Sequence, residues 1–168
     1  VLTEELYYTD PEYNEILSFD VVRGDEGDPF REINSIALNE STAEKIFGND
    51  NPIGRTLTIK HPWATNDQEL DLIITAVFKD YPSNTSFSPS YLVPLETLRP
   101  FFGSENYDEM FTGWLNGWME SYVVFRKGAD IKMVENKLNH LVAENVTTES
   151  GEIIPIFKKI TDLHFDEE

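Results

Sequence analysis

SIALNESTAEKIFGNDNPIGRTLTIK, residues 35–60, contains a complete predicted strand, helix, turn and second strand. Its first four residues form a largely apolar run typical of a buried strand, and residues 56–59 alternate polar and apolar side chains as a half-buried strand does. Between the two strands, residues 39–42 supply polar side chains that can cap a helix, and Ser41 with Glu44 has the spacing of a capping box. Gly48 stands where a helix commonly ends in a left-handed residue. The stretch therefore predicts a β-α-β element, and none of its residues indicates catalysis.

Patterns elsewhere in the chain predict further short strands and helices. Residues 70–78 are the strongest predicted strand because they are rich in β-branched side chains. The clearest helix covers residues 130–145, with Asp130 as its cap and one apolar stripe at spacings of three and four. Other strands are expected at residues 6–8, 21–22, 91–95, 121–126 and 152–159, and other helical turns near residues 11–17 and 96–102. Residues 106–119 combine apolar side chains near helical spacing with two glycines, so their pattern leaves helix and irregular structure open. Together these elements predict an α+β fold with short helices on mixed sheets.

The charge of the chain is strongly acidic. It has 31 Asp and Glu residues against 13 Lys and Arg residues, which gives a formal net charge of −18. Such a field repels phosphate backbones, so we expect no nucleic-acid partner. It also argues against docking on anionic lipid through a basic patch. The charge is explained by solubility alone, or by attraction to a basic partner.

Cysteine and long apolar segments are both missing from the sequence. The lack of cysteine removes thiol catalysis, disulfides and thiolate metal sites. No segment approaches the roughly 20 apolar residues that a spanning helix needs. The first residues, VLTEELYY, are acidic and lack the basic region of a signal peptide. We therefore expect the chain to be a soluble piece of a longer protein.

Candidate catalytic and metal-binding residues form no recognisable pattern. A glycosidase needs two carboxylates held across a cleft, and acids this numerous pair by chance. The histidines, His61, His140 and His164, are too scattered along the sequence for a zinc site. No serine lies in a nucleophile-elbow motif, and no phosphate-binding GxxxxGK[ST] motif is present. We therefore expect no enzymatic activity, no metal and no cofactor.

Three tryptophans are the best candidates for contact with a partner or substrate. Trp63 lies in a predicted polar loop, and Trp114 and Trp118 lie near Gly117. Exposed aromatic side chains mark partner sites, including platforms for sugars. Packing within the protein is the alternative role for Trp114 and Trp118. The tryptophans leave open a secreted carbohydrate- or peptide-binding module.

Motifs spread over nearly the whole chain also occur in a distinctive order. PEYNEILSFDVVRGD, residues 11–25, precedes the β-α-β stretch, and ITAVFKDYPSNTSF, residues 74–87, follows it, with Ala76 where glycine is usual. The ending KKITDLHF completes the series. In order and spacing, these motifs resemble the extracytoplasmic domains of MacB-like, FtsX-type ABC transporter permeases, and the ending resembles that of Bacteroidetes-like members. The residues that carry the resemblance are Asn39, Phe47, Gly48, Pro52, Gly54, Val77, Pro82, Pro94, Tyr122 and His164.

This resemblance implies a domain with two lobes of mixed α/β structure. Residues 1–23 and 120–168 would form a Porter-like lobe of β-α-β units, with its amino-terminal part abbreviated. Residues 24–119 would form an inserted, Sabre-like lobe. The family-motif residues would then have structural roles, and the three tryptophans would remain the candidate contacts.

The resemblance also implies a function. The parent protein would be a dimeric permease anchored in the bacterial inner membrane, with this domain on the periplasmic face. Its partner would be a cytoplasmic ABC ATPase subunit. The domain would be non-catalytic and would couple ATP hydrolysis to export of, or signalling to, a periplasmic substrate or partner, such as an adaptor, a peptide or a lipoprotein.

Overall fold

The computed structural model describes residues 5–17, 20–60, 69–83, 85, 87–114, 119–146 and 153–165. The chain divides into two compact units, Val1–Tyr107 and Asp108–Glu168. The strands are β1 Leu6–Thr9, β2 Val21–Gly24, β3 Ser35–Asn39, β4 Thr56–Lys60, β5 Glu69–Phe78 and β6 Tyr91–Pro94. The α-helices are α1 Tyr13–Ile16, α2 Glu40–Phe47, α3 Arg99–Phe102, α4 Ser104–Thr112 and α5 Ile131–Asn145, and 3-10 helices cover Leu95–Leu98 and Ile160–Phe165. This mixture confirms the predicted α+β fold.

The described strands form one mixed sheet in the first unit, in the order β1-β6-β3-β5-β2, with β4 also paired to β5. β1 is parallel to β6, and β3 is parallel to β5 but antiparallel to β6. β4 pairs antiparallel with residues 69–73 of β5, and β2 pairs antiparallel with residues 76–78. Because β3 occupies the other edge of β5, β2 and β4 lie end to end along a single edge of that long strand.

The two faces of the sheet have separate apolar clusters, because successive side chains of β3 and β5 point in opposite directions. Ile36 and Leu38 pack into a cluster that α2 covers through Ala43, whereas Ala37, between them, packs into the other cluster with Phe78. All of these side chains are buried. β3 and β5 are therefore apolar on both faces where they pair, as their sequences predict for central strands.

The face opposite α2 is covered by aromatic side chains, including that of Tyr13 in the segment that joins β1 to β2. These two strands lie at opposite ends of the sheet order, so residues 10–20 connect the two edges. Tyr13 of that segment packs against the second cluster, and its hydroxyl lies 2.9 Å from the hydroxyl of Tyr81. The ring of Phe87 lies 6.0 Å from that of Tyr13 and 4.7 Å from that of Tyr7. The connecting segment is therefore held to the sheet by aromatic contacts.

Most of the predicted elements are confirmed, and the cap of α2 lies within the predicted residues 39–42 but is not Ser41. The N-cap is Asn39, whose Oδ1 accepts a hydrogen bond from the backbone N–H of Thr42 at 2.8 Å. Ser41 lies within the first turn of the helix. The cap predicted for α5 is confirmed, since the Asp130 carboxylate accepts from the backbone N–H of Met133 at 3.0 Å.

The strands predicted in the second unit are not formed among its described residues. Residues 121–126 and 153–159 make no strand ladder, and residue 152 lies outside the described ranges. The two segments instead meet through Phe125 and Phe157, whose ring centroids are 5.0 Å apart, and the backbone N–H of Phe157 donates to Glu135 of α5. A strand requires hydrogen bonds to a neighbouring strand, which an apolar pattern alone does not provide.

The expected lobe boundaries differ from these compact units. The boundary expected between residues 23 and 24 falls within β2, and both β1 and β2 belong to the sheet of the first unit. The grouping of residues 1–23 with residues 120–168 in a Porter-like lobe, with residues 24–119 as a Sabre-like lobe, stays a prediction.

Candidate interaction site

The first turn of α2 is held by side chains from the preceding strand, β3, and from the segment that follows β5. Besides the Asn39 cap, the Asp80 carboxylate accepts a hydrogen bond from the backbone N–H of Ser41 at 3.1 Å and another from its hydroxyl at 2.5 Å. The Asn39 amide also donates to the carbonyl oxygen of Pro89 at 3.5 Å. The β-α-β stretch and the motif at residues 74–87 are therefore in direct contact.

The turn after α2 joins the helix to β4 without exposing its proline. Gly48 has a positive φ of 60°, and its N–H donates to the carbonyl oxygen of Glu44 at 2.7 Å. Pro52 is fully buried, and Gly54 donates from its N–H to the carbonyl oxygen of Ile74 at 2.8 Å. Phe47 is half-buried against the α2-side cluster. These motif residues fix the path of the chain around the end of α2.

The Gly-Asp pair that ends the motif at residues 11–25 is tightly constrained. A Cβ on Gly24 would lie 2.1 Å from the carbonyl oxygen of Thr75, so only glycine fits this close approach. The Asp25 carboxylate accepts from the backbone N–H groups of Asp28 and Gly27. These hydrogen bonds, with a smaller effect of Arg31, hold the pKa of Asp25 below its ordinary value. The pair therefore shapes the loop after β2.

The other family-motif residues lie in varied surroundings. Val77 and Pro94 are buried in the sheet, whereas Pro82 is exposed and its carbonyl oxygen accepts from the N–H of Thr85. The Tyr122 hydroxyl donates to Glu120 at 2.6 Å. His164 lies in the 3-10 helix Ile160–Phe165, and its side chain is outside the described part of the structure. Their roles in function stay predictions.

Of the three candidate contact tryptophans, the structure describes only Trp114. Its side chain follows α4 and is 46% exposed. Trp63 and Trp118 lie outside the described residues. Whether the three meet on one surface therefore stays a prediction, and Trp114 is the member on which it can be tested directly.

An ionic cluster lies where the 3-10 helix Leu95–Leu98 leads into α3. Arg99 donates to both carboxylate oxygens of Glu96, at 2.7 and 3.2 Å, and these bonds lower the pKa of Glu96. Burial is the main cause that raises the pKa of Tyr107 to about 12. Burial also raises the pKa of Asp10, with smaller effects of Glu12 and Glu96. Within this cluster the carboxyl group of Glu96 therefore ionises more readily than an ordinary one, and that of Asp10 less readily.

The second unit has many exposed apolar side chains for its size. Val124 is 72% exposed and Ile156 is 66% exposed. The others in this unit are Trp114, Val123, Ile131, Met133, Leu141, Ile153, Ile154 and Ile160.

Among the described residues, no group of three or more His, Cys, Asp or Glu side chains is placed to hold a metal ion. Across the same ranges, none of the helices is long and apolar enough to cross a membrane.

Two residues that prove important in this structure were not singled out from the sequence. Asp80 follows the buried β5 and lies inside a quoted motif, but its partner, Ser41, lies 39 residues away. Gly24 belongs to the motif that ends in Gly-Asp, and its requirement for glycine comes from the backbone of β5. In both cases the motif was the available signal, and the tertiary contact supplies its reason.

Comparisons with known proteins agree with this fold. The family model of the MacB-like periplasmic core domain matches residues 2–141. A domain of a protein assigned as a permease from Porphyromonas gingivalis has a TM-score of 0.60 at 16% identity, covering 98% of this chain and 73% of that one. The extracellular domain of the noncanonic ABC-type transporter YknZ from Gram-positive bacteria has a TM-score of 0.52 at 19% identity, covering 92% and 71%.

The periplasmic region of MacB from Actinobacillus actinomycetemcomitans is also similar, with a TM-score of 0.50 at 19% identity. The match covers 83% of this chain and 55% of that region. No curated protein sequence matches the chain. Because the family model spans most of the sequence, the chain belongs to the family of MacB-like periplasmic core domains, which are extracytoplasmic domains of ABC transporter permeases.

Proposed function

We propose that this domain is non-catalytic and couples ATP hydrolysis by a cytoplasmic ABC ATPase subunit to export of, or signalling to, a periplasmic substrate or partner. The observation that carries the proposal is the match to the periplasmic core domain family over residues 2–141. The parent permease would be dimeric and anchored in the inner membrane. Its periplasmic partner would be an adaptor, a peptide or a lipoprotein.

Two properties of the structure support a mechanical role. The first unit is built on one sheet whose central strands are buried, so it is suited to move as a rigid body. The second unit exposes apolar side chains suited to contact with another surface. A domain that passes on motion requires both a stiff frame and a surface on which to act.

The proposal can be tested in the full-length permease, reconstituted with its ATPase. The domain contains no cysteine, so Glu44→Cys and Lys137→Cys introduce its only two thiols for spin labels. Glu44 belongs to the first unit and Lys137 to the second. We expect the distance distribution between the labels to change when ATP is added and trapped with vanadate. Labels at Glu44 and Lys60, both in the first unit, serve as the control and should keep their distance.

An unchanged distance between the units, together with transport that persists after the domain is deleted, would contradict this proposal. Hydrolysis of a periplasmic substrate by the purified domain would contradict the non-catalytic part. These outcomes are independent, because the first concerns motion and the second concerns chemistry.

A second candidate function is favoured by the exposure of Trp114. In this alternative, the chain is a secreted carbohydrate- or peptide-binding module that uses Trp63, Trp114 and Trp118. Saturable quenching of tryptophan fluorescence by oligosaccharides, reduced in Trp114→Ala, would favour it. Unchanged fluorescence across a series of oligosaccharides and peptides would leave the transporter role as the working function.

A further inference from the structure

We propose that Gly103 is a hinge in the connection between the two units, and that Arg99 holds this hinge fixed by binding Tyr107. Each unit is a continuous stretch of a chain without cysteine, so the peptide bond between Tyr107 and Asp108 is the one covalent link between the units. That bond lies within α4. Any motion that passes along the chain from one unit to the other therefore passes through α4.

Gly103 interrupts the helical path directly ahead of α4. It ends α3 with a positive φ of 74°, and a Cβ at this position would meet nothing within 4 Å. Glycine adopts this conformation without strain, and it can rotate into others at little cost. Protein hinges are a few residues at the ends of helices or in loops that absorb changes in φ and ψ. Gly103 has both the position and the freedom that a hinge requires.

Arg99 spans this break and contacts Tyr107 on its other side. The guanidinium carbon lies 4.2 Å from the centroid of the Tyr107 ring, and two guanidinium nitrogens donate to the Glu96 carboxylate at 2.7 and 3.2 Å. The Tyr107 hydroxyl donates to the same carboxylate at 3.3 Å. Each of the three side chains thus contacts the other two, and together they form what we call the latch.

The ionisation of these groups suits their roles in the latch. Hydrogen bonds from Arg99 are the main cause that lowers the pKa of Glu96, so at neutral pH it is a carboxylate that accepts hydrogen bonds. Burial is the main cause that raises the pKa of Tyr107 to about 12, so its hydroxyl keeps the proton that it donates. The Tyr107 side chain is only 4% exposed, which keeps water away from most of its ring.

The latch would keep the connection between the units stiff, and this role rests on the proposed function, in which motion passes between them. While Arg99 binds Tyr107, α4 cannot turn about Gly103 without breaking the stacked contact and the shared hydrogen bonds. Without the latch, rotation at Gly103 would absorb the motion instead of passing it on. Arg99 is thus a positioning residue for coupling.

The test uses the full-length permease, reconstituted with its ATPase and spin-labelled at Glu44→Cys and Lys137→Cys. Arg99→Met removes the ion pair and the stacked charge but keeps a long side chain. Before ATP is added, we expect it to make the distance distribution between the labels about twofold broader, because the hinge is released. The amount transported per ATP hydrolysed should fall about threefold or more.

Arg55→Met is the matched control. Arg55 also pairs with a carboxylate, that of Asp50 at 3.0 Å, and its guanidinium carbon lies 5.4 Å from the centroid of the Phe47 ring. It belongs to the first unit but lies outside the segment from α3 to α4. We expect Arg55→Met to leave the distance distribution and transport unchanged. Arg99→Lys should be intermediate, because an ammonium keeps the charge but lacks the planar fork of a guanidinium.

The proposal is overturned if Arg99→Met and Arg55→Met give distance distributions of equal width, or if Arg99→Met leaves transport per ATP unchanged. It is also overturned if Arg99→Met broadens the distribution between labels at Glu44 and Lys60 as much, since the whole first unit would then have loosened. Failure of the proposed function is distinct: there the wild-type distance between the units does not respond to ATP, whatever its width beforehand.

Discussion

Asp80 accepts two hydrogen bonds from Ser41, one from the backbone N–H at 3.1 Å and one from the hydroxyl at 2.5 Å. A carboxylate at this position satisfies a backbone donor that has no partner within the helix and interacts favourably with the helix dipole. Asn39 satisfies a second such donor, on Thr42. The start of α2 is thus capped from its own strand and from the segment after β5.

We expect Asp80→Ala to lower the free energy of unfolding by about 1–2 kcal/mol, because Ser41 loses both hydrogen bonds. Asp80→Asn should cost less, since its amide oxygen still accepts a hydrogen bond. Urea unfolding followed by circular dichroism measures both. Asp20→Ala is the matched control: it removes an exposed ion pair with Lys79 and should cost under about 0.5 kcal/mol. Equal losses for Asp80→Ala and Asp20→Ala would refute the capping role.

Gly24→Ala tests the close approach between β2 and β5. The added Cβ would lie 2.1 Å from the Thr75 carbonyl oxygen, and the residue has a φ of 96°. We expect a loss of about 2–4 kcal/mol in the free energy of unfolding, from steric overlap added to backbone strain.

Gly54→Ala separates these two causes. Gly54 also has a positive φ, of 80°, but a Cβ there would meet nothing within 4 Å. Gly54→Ala should therefore lower the free energy of unfolding by only about 1 kcal/mol, from backbone strain alone. Equal urea midpoints for Gly24→Ala and Gly54→Ala would contradict the steric explanation.

The pKa shifts of Asp10 and Asp25 predict opposite effects of neutralising substitutions. Burial raises the pKa of Asp10, so its ionised form is disfavoured in the fold, and Asp10→Asn should raise the melting temperature at about pH 7. Backbone hydrogen bonds lower the pKa of Asp25, so its ionised form is favoured, and Asp25→Asn should lower the melting temperature at that pH.

The difference in melting temperature between each variant and the wild type should shrink on acidification, but over a different pH range for each variant. For Asp10 the change begins as the pH falls through its raised pKa, and it is complete below the ordinary value of 3.8. For Asp25 it begins near 3.8 and is complete only below the lowered pKa. Melting curves of the two variants and the wild type, recorded from neutral to acidic pH, measure this. If both variants raise the melting temperature at neutral pH, or both lower it, the opposite pKa shifts of Asp10 and Asp25 are contradicted.

Trp114→Ala should leave the stability of the chain nearly unchanged, within about 0.5–1 kcal/mol, because the side chain is 46% exposed. Phe78→Ala provides the contrast, since Phe78 is fully buried and its truncation should cost about 3–5 kcal/mol. Chemical unfolding of both variants checks this pair. A large loss for Trp114→Ala would indicate that the side chain packs within the protein rather than serving as a contact.

The sequence predicts the central elements well where local pattern and tertiary packing agree. The apolar run of β5 and the stripe of α5 both correspond to observed elements. The cap of α2 shows where the sequence leaves a choice, here among residues 39–42. Asn39 and Ser41 are both suitable caps, two residues apart, and the contact of Ser41 with the distant Asp80 accompanies the choice of Asn39.

The second unit shows a different limit. Residues 121–126 and 153–159 have the composition of strands, yet their described parts form no ladder. The composition shows only that these residues are compatible with a strand. Forming a strand also requires hydrogen bonds to a neighbouring strand, which is distant in sequence. Of the three candidate contact tryptophans, the structure describes only Trp114. Its exposure could not be predicted from the sequence, because residues 106–119 combine apolar side chains near helical spacing with two glycines.

The connection between β1 and β2 has a mechanical consequence. β1 and β2 are separated by four interstrand spacings, or roughly 19 Å, yet they are consecutive in the chain. Tension on the residues ahead of β1 is thus first resisted by its ladder with β6 and then by the packing of Tyr13 and Val21 against the same apolar cluster. A load applied at one point is shared across the width of the sheet, so its strands are not peeled away one at a time.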